Sequence, residues 1–426
     1  MKRERLKIAV LVDLPISAQA GGHVKMWERL ARAAAHSHLP IDLTVYGSGA
    51  GQTVPYAPHV RFLQLPPVFS TARLKFLPYM PDHTDLARWH RQLARHLHSY
   101  DVVHTTDAFF AFARTAEQLR RKRGRKQMVS ADFSLVHSFH TDQPAYAEIF
   151  TARSLETWWG RGRLSRFLTQ TLRIPRLAAQ QMRARLAKHL RYCDYVLATR
   201  PEDRALAERQ SGAAKVSRLR LGVDRTIFRP NAAGRAELCA RYGIQADHLL
   251  ILFVGRLDIG KNIYPLLTAC AQLRRAGYKL HLFAAGLGPA ATDITAQLGD
   301  DATLCGFVGE QELATLYAGA DILAVPSEVE IGSLVLVEAL ACGLPVLASA
   351  ASDLASLYGT TPAVRAVAGG AEGWQEALAK LMTDPQCYPA MRAAAQDYGQ
   401  QKVADWSAIL REDLFPIWQA AGAGKL

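Results

Sequence analysis

Short apolar runs alternate with longer amphipathic stretches along the 426-residue chain. Short apolar runs bounded by turn residues predict buried strands, and a helical spacing of apolar positions predicts helices. The predicted strands are Lys7–Asp13, Ile41–Tyr46, Val60–Leu63, Asp101–His104, Tyr195–Thr199, Leu249–Gly255, Leu282–Ala285 and Ile322–Val325. The main predicted helices run from Gly21–His23 to about Ala35, over Thr84–His98, from Ser333 onward, and over about Trp406–Trp418. This alternation predicts an α/β protein with parallel, doubly wound sheets.

Length and composition bound the class of protein. The length suggests two or three domains, and 49% apolar residues are ample for sizeable cores. The six cysteines are widely scattered and form no C-x-x-C pair, which indicates reduced, mostly buried thiols in a cytosolic protein. The first apolar run is too short for a signal peptide or a membrane span. Any membrane contact is therefore expected to be peripheral.

Positive charge is concentrated in the first half of the chain. Residues 1–200 contain 31 Lys and Arg and 14 Asp and Glu, whereas residues 201–426 contain 20 and 24. A basic half suits nucleic acid, an anionic membrane or an anionic substrate. The sequence has no helix-turn-helix, zinc-finger or aromatic-rich RNA-binding pattern, so nucleic acid is not expected as a partner.

A strand, a tight polar turn and a helix follow one another from residue 322 onward. Pro326 and Ser327 end the strand, Glu330 lies in the turn, and Glu338 follows on the helix. The carboxyl edge of a parallel sheet binds ligands, and the N–H groups at a helix start attract phosphate. Both carboxylates can accept hydrogen bonds from hydroxyls of one extended ligand. Alone, the same two glutamates also fit a solvated residue and an ordinary helix-face residue.

The order Pro-Ser, Glu330, seven residues, Glu338-Ala, then Gly-Leu-Pro-Val resembles the donor-sugar signature of retaining glycosyltransferases of family four. The resemblance implies the GT-B fold, two doubly wound Rossmann-like domains facing a central cleft. It also implies that Glu330 contacts the donor sugar and Glu338 the ribose of the nucleotide. Gly332 and Ser333 stand where the family commonly has Phe-Gly, and with Leu334 they are expected to bind the donor.

Two further motifs extend the resemblance toward the donor phosphates. Gly-Arg256-Leu, three residues, Lys261-Asn is similar to the family's diphosphate site. Arginine offers a forked donor there and lysine a point charge. Gly21 and Gly22 resemble the family's glycine loop, which lies beside the donor phosphates. The resemblance therefore implies that all four residues act on the donor.

Three other loops carry weaker matches. In the family, the loop that begins at Gly286 and the loop with Phe307 and Val308 flank the nucleotide, the latter near the base. His140 lies in a Phe-His-Thr-Asp sequence that resembles a loop of members that glycosylate lipids. There such a histidine borders the acceptor and the donor sugar. Taken alone, His140 also fits a hydrogen-bonded structural histidine.

The domain boundary is expected near a family-like connection. Leu221–Pro230 contains Gly-Val-Asp, three residues, Phe-x-Pro, which resembles the family's interdomain linker. We therefore predict an acceptor-side domain over residues 1–200 and a nucleotide-sugar domain over 201–402, including the linker 201–245. A C-terminal helix at about 403–420 is expected to cross back onto the first domain.

Two basic segments lie in the first half. Ten basic residues and one acidic residue occur between Arg153 and Arg191, interleaved with Trp, Phe and Leu. This pattern suits an interfacial helix on an anionic membrane, and a core helix with a solvated basic face is the alternative. Arg120–Lys126 holds six positive charges in seven residues and is compatible with a solvated loop.

These features predict a retaining, metal-independent hexosyltransferase that needs no cofactor. Its co-substrate is expected to be a nucleotide-diphosphate sugar, a UDP-sugar in preference to a GDP-sugar, with Arg256, Lys261, Glu330 and His140 as catalytic residues. The expected acceptor is a membrane lipid or lipid-linked molecule, reached by a cytoplasmic protein that is peripheral on the inner face of the cell membrane. A soluble acceptor, a catalytically silent nucleotide-binding protein, and an epimerase or phosphorylase on the same fold remain open.

Overall fold

The structure is a computed structural model that describes residues 5–17, 20–73, 84–122, 132–160, 162–330 and 332–424. The chain forms two compact units. Unit 1 comprises Met1–Arg220 and Trp406–Leu426, and unit 2 comprises Leu221–Asp405.

The part of unit 1 that precedes residue 221 alternates strands with helices. Its strands in the described residues are β1 (Leu6–Pro15), β2 (Ile41–Ser48), β3 (Thr53–Ala57), β4 (Val60–Leu65), β5 (Val102–Thr105), β6 (Ser134–Ser138), β7 (Tyr195–Leu197) and β8 (Val216–Ser217). Its helices there are α1 (Gly22–Ala35), α2 (Arg91–Leu97), α3 (Ala111–Lys122), α4 (Gln143–Trp159), α5 (Arg163–Arg166), α6 (Ile174–Leu190) and α7 (Pro201–Ser211).

These strands form one sheet in the order β3-β4-β2-β1-β5-β6-β7-β8. All neighbours in the sheet pair in parallel except β3 with β4. The order reverses between β1 and β5, which is the switch point where ligands bind in such sheets. Because parallel crossovers are right-handed, α2, α3 and α6 cover one face of the sheet and α1 covers the other.

Unit 2 contains a second parallel sheet. Its strands in the described residues are β9 (Gly222–Val223), β10 (Leu249–Val254), β11 (Leu280–Ala285), β12 (Ala302–Gly306), β13 (Ile322–Val325), β14 (Val346–Ser349), β15 (Val364–Val367) and β16 (Ala404–Asp405). Its helices there are α8 (Gly234–Tyr242), α9 (Ile263–Arg275), α10 (Ala290–Leu298), α11 (Glu310–Gly319), α12 (Leu334–Ala341), α13 (Asp353–Tyr358), α14 (Gly370–Thr383) and α15 (Cys387–Gln401).

The strand order of this sheet is β12-β11-β10-β13-β14-β15, while β9 pairs separately with β16. β10 shows why a continuous apolar run is needed: Leu250 and Leu252 enter the core on one face, and Leu249, Ile251 and Phe253 enter the core on the other. Both faces of such a strand are covered by helices, so neither set of alternating positions is polar. The order reverses between β10 and β13, which places a second switch point there.

The C-terminal residues return to unit 1. They form α16 (Trp406–Ile409), a π-helical turn (Leu410–Leu414) and α17 (Phe415–Ala423). Trp418 is fully buried, and its indole N–H donates to His104 Nδ1 over 3.1 Å. Ser134 Oγ donates to the carbonyl of Ala421 over 2.7 Å. This helix therefore closes the α1 face of the sheet with both apolar packing and specific hydrogen bonds.

The helix predicted over Thr84–His98 is wrong in its first half, since α2 begins only at Arg91. The carboxylate of Asp85 instead accepts hydrogen bonds from the backbone N–H groups of Val68, Phe69 and Ala87. These bonds tie Asp85 to residues 68 and 69 as well as to its own neighbour, and they hold the chain before Arg91 outside a helix. His90 then caps α2, because its Nδ1 accepts from Leu93 N over 3.1 Å.

The two units meet between Arg220 and Leu221, which lies within the predicted linker 201–245. Residues 201–220 contain α7 and β8, and β8 pairs with β7 of the first sheet. The guanidinium of Arg220 also bonds the carboxylate of Asp413, which lies within unit 1. A short helix and a two-residue strand carry no sequence mark of the sheet they join, so the sequence did not show that residues 201–220 belong to unit 1.

All six cysteines are free thiols, and five are buried, as the sequence predicted. Among the described residues, none of the helices combines the length and apolar character needed to cross a membrane.

Candidate functional site

The candidate donor site of unit 2 lies at its switch point. Arg256 and Lys261 follow β10, and Glu330 follows β13, which is the neighbouring strand on the other side of the reversal. Because the carboxyl ends of parallel strands share one edge, these two loops meet. Lys261 Nζ lies 2.5 Å from Glu330 Oε1, and both side chains are mostly shielded from solvent. The structure thus brings together a predicted phosphate residue and the predicted sugar residue.

The loop after β10 is shaped by its own side chains. Asp258 accepts from the backbone N–H of Lys261 over 3.0 Å and from Arg256 Nε over 2.9 Å. Asn262 has φ 52°, in the left-handed region, and its side chain donates to the carbonyl of Pro326 over 3.3 Å. These bonds hold the guanidinium of Arg256 and the backbone at Lys261 in place, and they tie the loop to the one after β13.

Gly286 has a packing requirement that the sequence motif does not reveal. Its φ is 153°, and a Cβ there would lie 1.8 Å from the carbonyl oxygen of Gly255. Gly288 has φ 156°, and a Cβ there would lie 2.3 Å from the carbonyl oxygen of Leu257. The loop after β11 therefore rests directly on the backbone beside Arg256. The expected role of Gly286 at the donor stays a prediction, while its structural role is to let these loops approach.

Glu338 lies on α12 and is almost completely buried, with 2% of its surface exposed. The hydroxyl of Tyr317, itself fully buried on α11, donates to Glu338 Oε2 over 3.0 Å. Sequence reasoning missed Tyr317, because no local motif links a tyrosine on one helix to a glutamate 21 positions later on the next. Tyr317 fixes the orientation of the carboxylate, and the proposed contact of Glu338 with ribose stays a prediction.

The turn before α12 contains the other residues expected near the donor. Ser333 is buried at the position that precedes the helix, while Gly332 and Leu334 are half-buried. Ser327 is also buried, and its hydroxyl has no hydrogen-bond partner within the described residues. A buried hydroxyl without a partner is uncommon, so Ser327 is an addition to the candidate donor residues. Residue 331 lies outside the described residues.

Phe307 and Val308 follow β12, the edge strand of the second sheet. The ring of Phe307 is 51% exposed, and Val308 is half-buried. An exposed aromatic ring at the end of a strand can stack on a flat ligand such as a nucleobase. The expected role of Phe307 and Val308 beside the base stays a prediction.

In unit 1, His140 follows β6 and is part of a hydrogen-bonded chain. His140 Nε2 lies 2.7 Å from Ser138 Oγ, which lies 2.8 Å from His104 Nε2. His104 Nδ1 accepts from Trp418 Nε1. The imidazole of His140 also stacks on His23 of α1, with ring centroids 4.4 Å apart. We call Trp418, His104, Ser138 and His140 the histidine relay.

The histidine relay determines the tautomer of His140. An indole N–H can only donate, so His104 Nδ1 accepts and carries no proton. Burial lowers the pKa of His104 to about 3, so it is neutral and its proton resides on Nε2, which donates to Ser138 Oγ. The hydroxyl of Ser138 then donates to His140 Nε2. Burial, followed by His23 and His104, holds the pKa of His140 well below its usual range, so a neutral His140 carries its proton on Nδ1.

Sequence reasoning found His140 but missed the rest of the histidine relay. Ser138 lies two positions earlier, so the two-residue period of an extended strand could have placed it beside His140. Trp418 is 314 residues from His104, and no local pattern predicts that contact.

Gly21 and Gly22 precede and begin α1, close to His23 in the chain. A Cβ at Gly21 would meet no atom within 4 Å, and its φ of −66° suits any residue. Packing therefore does not require glycine at position 21. The expected approach of a donor phosphate to this backbone stays a prediction.

Residues 235–402 match the family model described as glycosyl transferases group 1. The D-inositol 3-phosphate glycosyltransferase of Segniliparus rotundus is 34% identical over 185 residues, which are 41% of this chain and 40% of that protein. A second such enzyme, from Catenulispora acidiphila, is 35% identical over 215 residues, 45% of this chain and 49% of that protein. The chain thus spans less than half the length of these curated relatives.

Solved structures resemble the whole chain. Sucrose-phosphate synthase from Thermosynechococcus elongatus has a TM-score of 0.73 at 21% identity, covering 99% of this chain and 100% of that one. HepE of Anabaena, in complex with UDP and glucose, has a TM-score of 0.63 at 17% identity and covers 99% and 100%. The predicted GT-B fold is confirmed, and residues 235–402 of unit 2 are similar to the group 1 glycosyl transferases.

Proposed function

We propose that this protein is a retaining glycosyltransferase that takes a sugar from a nucleotide-diphosphate sugar bound to unit 2. The observation that carries the proposal is the meeting of Lys261 and Glu330 at the switch point, within the residues that match the group 1 family. A cation suited to phosphate and a carboxylate suited to sugar hydroxyls share one site there.

The chemistry follows from the charges of the site. Breaking the anomeric bond leaves negative charge on the departing diphosphate, and Arg256 and Lys261 neutralise it together with N–H groups at the start of α12. Donors fixed in advance toward developing charge are often the largest single catalytic term. Before the donor binds, Asp258 and Glu330 bond these two cations.

A UDP-sugar is our proposed donor. It is supported by the fold shared with HepE, whose structure was determined with UDP and glucose. The half-exposed ring of Phe307 is available to a base, and we assign the ribose to Glu338. The sugar itself is left to experiment.

For the acceptor we propose a membrane lipid or lipid-linked molecule. Six large apolar side chains between residues 158 and 177 are about half exposed among the described residues: Trp158, Trp159, Leu164, Phe167, Leu172 and Leu177. Four exposed arginines accompany them: Arg163, Arg166, Arg173 and Arg176. We call residues 158–177 the apolar-basic segment. Exposed apolar side chains next to arginines suit the headgroup region of an anionic membrane.

A soluble acceptor is the second candidate. The curated relatives are named for D-inositol 3-phosphate, which is a phosphorylated small molecule. The family match, however, lies in unit 2, to which we assign the donor.

If the acceptor is a membrane lipid, as we propose, the protein is a peripheral membrane protein on the inner face of the cell membrane.

The test measures sugar transfer from UDP-glucose and GDP-mannose, with vesicles of anionic or neutral lipid and with D-inositol 3-phosphate as acceptors. We expect transfer to a lipid only when anionic vesicles are present. Efficient transfer to inositol phosphate with no dependence on vesicles would instead establish the soluble acceptor. Donor binding without turnover on any acceptor would favour a silent protein, and phosphate-dependent cleavage of a glycan would favour a phosphorylase.

A further inference from the structure

Unit 1 contains a strongly basic pocket that the proposed reaction does not use. The cavity has a volume of about 420 Å³ and is lined by Arg88, Arg114, Arg121, Arg185 and Lys188, together with Glu117. We call it the basic pocket. Its residues come from α3, α6 and the segment before α2, which cover one face of the first sheet. Gly21 and His140, in contrast, lie in loops at the carboxyl edge of the sheet.

The spacing of these residues explains why the pocket forms. Arg114, Glu117 and Arg121 are separated by three and four positions, so they share one face of α3. Arg185 and Lys188 are three positions apart on α6 and share a face in the same way. Arg185 Nη1 donates to Glu117 Oε2 over 2.5 Å, which joins the two helices.

Glu117, the carboxylate of the basic pocket, already has two partners within the protein. Glu117 is 2% exposed, and His189 Nδ1 lies 3.4 Å from the oxygen that accepts from Arg185. Burial alone would raise the pKa of Glu117, but the hydrogen bonds from His189 and Arg185 outweigh burial and lower it. Glu117 is therefore ionised; it pairs directly with Arg185 and attracts Arg114 without contacting it.

The other four cations have no carboxylate partner within the described residues. Arg114 Nη1 only approaches the carbonyl of Leu86 at 3.4 Å, and the guanidinium of Arg121 lies 5.7 Å from the ring centre of Tyr192. Burial, and then repulsion from Arg185 and Arg88, lower the pKa of Arg114, and attraction to Asp107 and Glu117 offsets only part of this. The cations are thus close enough to disfavour one another, and a bound anion would relieve that repulsion.

We propose that the basic pocket is a binding site for a phosphate group. Guanidinium groups match phosphate oxygens with paired N–H donors. Four of the five cations flank this single cavity from α3 and α6, and three of these four are arginines. The phosphate belongs either to a soluble phosphorylated molecule or to an anionic lipid headgroup. The site lies on a helix-covered face, so its occupation is separate from donor binding and does not depend on the proposed function.

Calorimetry with inorganic phosphate, at constant ionic strength and without donor or membrane, tests the site. We expect saturable binding by the unaltered protein. Arg121→Gln/Lys188→Gln removes two exposed charges and should weaken binding at least tenfold while the fold is retained. Arg91→Gln/Arg95→Gln removes the same charge from exposed positions of α2 and is the matched control, with less than a twofold change. Equal weakening in both double variants, or no saturable binding by the unaltered protein, would overturn the proposal.

A second arm identifies the source of the phosphate. Glycerol 3-phosphate is titrated, and sedimentation with phosphatidate vesicles is compared with sedimentation with phosphatidylcholine vesicles. A headgroup ligand predicts that Arg121→Gln/Lys188→Gln loses most of its binding to phosphatidate vesicles while the α2 control keeps it. A soluble ligand predicts equal vesicle binding by both variants and a pocket-dependent affinity for glycerol 3-phosphate. If neither measurement distinguishes the two variants, the basic pocket is not a phosphate site.

Discussion

The donor loops of unit 2 and the apolar-basic segment of unit 1 differ in how their residues are held. Lys261, Glu330 and Glu338 are mostly buried and bonded to one another or to neighbouring side chains. Trp158 and Trp159 are instead half exposed and contact each other edge to face, with ring centres 5.8 Å apart. The side chains of the donor loops are held in place before a ligand binds, whereas the apolar-basic segment exposes apolar side chains to solvent.

The difference corresponds to two kinds of chemistry. A leaving diphosphate needs charges placed in advance, because reorganising them during the reaction would raise the barrier. A membrane needs exposed apolar area and positive charge but no fixed geometry. A single substitution in the donor loops should therefore lower the rate of transfer strongly, whereas each substitution in the apolar-basic segment should remove only part of the membrane binding.

The largest effect is expected from Lys261→Ala and Arg256→Ala. Each removes a charge that neutralises the leaving diphosphate, so each should raise the barrier to transfer by about 2–4 kcal/mol, or roughly 30- to 1,000-fold in rate. The measurement is kcat/KM for the donor at a fixed acceptor concentration. Lys279→Ala in the same unit is the control, since Lys279 pairs with Asp247 at an exposed position away from these loops. Near-normal turnover in both donor-loop variants would remove the proposed diphosphate site.

A somewhat smaller effect should separate Glu330 from Glu338. If Glu338 holds ribose, Glu338→Gln should weaken UDP and the intact donor alike, by roughly 1.5–3 kcal/mol, the range for a hydrogen bond to a charged group. Glu330→Gln should leave UDP binding unchanged and impair the intact donor. Tyr317→Phe should resemble Glu338→Gln more weakly, because it removes only the hydroxyl that orients Glu338. Calorimetry with UDP and UDP-sugar distinguishes these outcomes, and the opposite pattern would exchange the two roles.

The candidate donor site of unit 2 could be predicted because each motif that forms it is a short continuous stretch of sequence. The strand Ile322–Val325 has the predicted bounds, and the residues that follow β10 and β13 lie where the motifs place them. Parallel sheets bring strand ends together by topology, so a correct strand order already predicts that Lys261 and Glu330 approach each other. The ion pair between them, the buried partner Tyr317 and the backbone contact at Gly286 depend on side-chain packing and were not predicted.

Unit 1 was less predictable for the same physical reason. The carboxylate of Asp85 organises residues far from it in the chain, which shortened the predicted helix to α2. The histidine relay joins β5, β6 and α17, and only the contact of Ser138 with His140 is local. The basic run at Arg120–Lys126 is described only through residue 122, and Arg161 also lies outside the described residues. Interfacial character was inferred from composition, and the exposure of Trp158 and Trp159 agrees with it.

A moderate effect is expected from Trp158→Ser/Trp159→Ser/Arg163→Gln/Arg166→Gln. Each arginine near an anionic surface contributes about 1 kcal/mol, and the tryptophans add apolar burial. Sedimentation with vesicles rich in phosphatidylglycerol should fall at least tenfold and depend less on salt. Arg204→Gln/Arg209→Gln on α7 is the control, because both residues are exposed in the same unit. If the segment variant still binds anionic vesicles and transfers sugar to lipid normally, the membrane assignment is wrong.

The smallest effect should come from the histidine relay, where Ser138→Ala removes the donor to His140 Nε2 and the acceptor of the His104 Nε2–H. His140 then loses its preference for the Nδ1–H tautomer, and we expect kcat to fall about tenfold, a cost of about 1.4 kcal/mol, with little change in the KM of the donor. Ser138→Thr keeps a hydroxyl and should restore most of the rate.

Nitrogen NMR of labelled histidine gives the readout that separates orientation from simple loss of packing. The unaltered protein should show a neutral His140 with its proton on Nδ1 throughout pH 6–8, because burial and the neighbouring histidines hold its pKa well below the usual value. The neutral form is lost only as pH falls through that lowered pKa, so the rate should show no inflection from His140 between pH 6 and 8.

Trp418→Phe should change the NMR signal of His104 most, because the indole bonds His104 directly, and that of His140 less, because the effect reaches it through Ser138. A His140 signal that is identical in Ser138→Ala and the unaltered protein would show that its tautomer is set by other contacts, and the relay would then be only a packing feature.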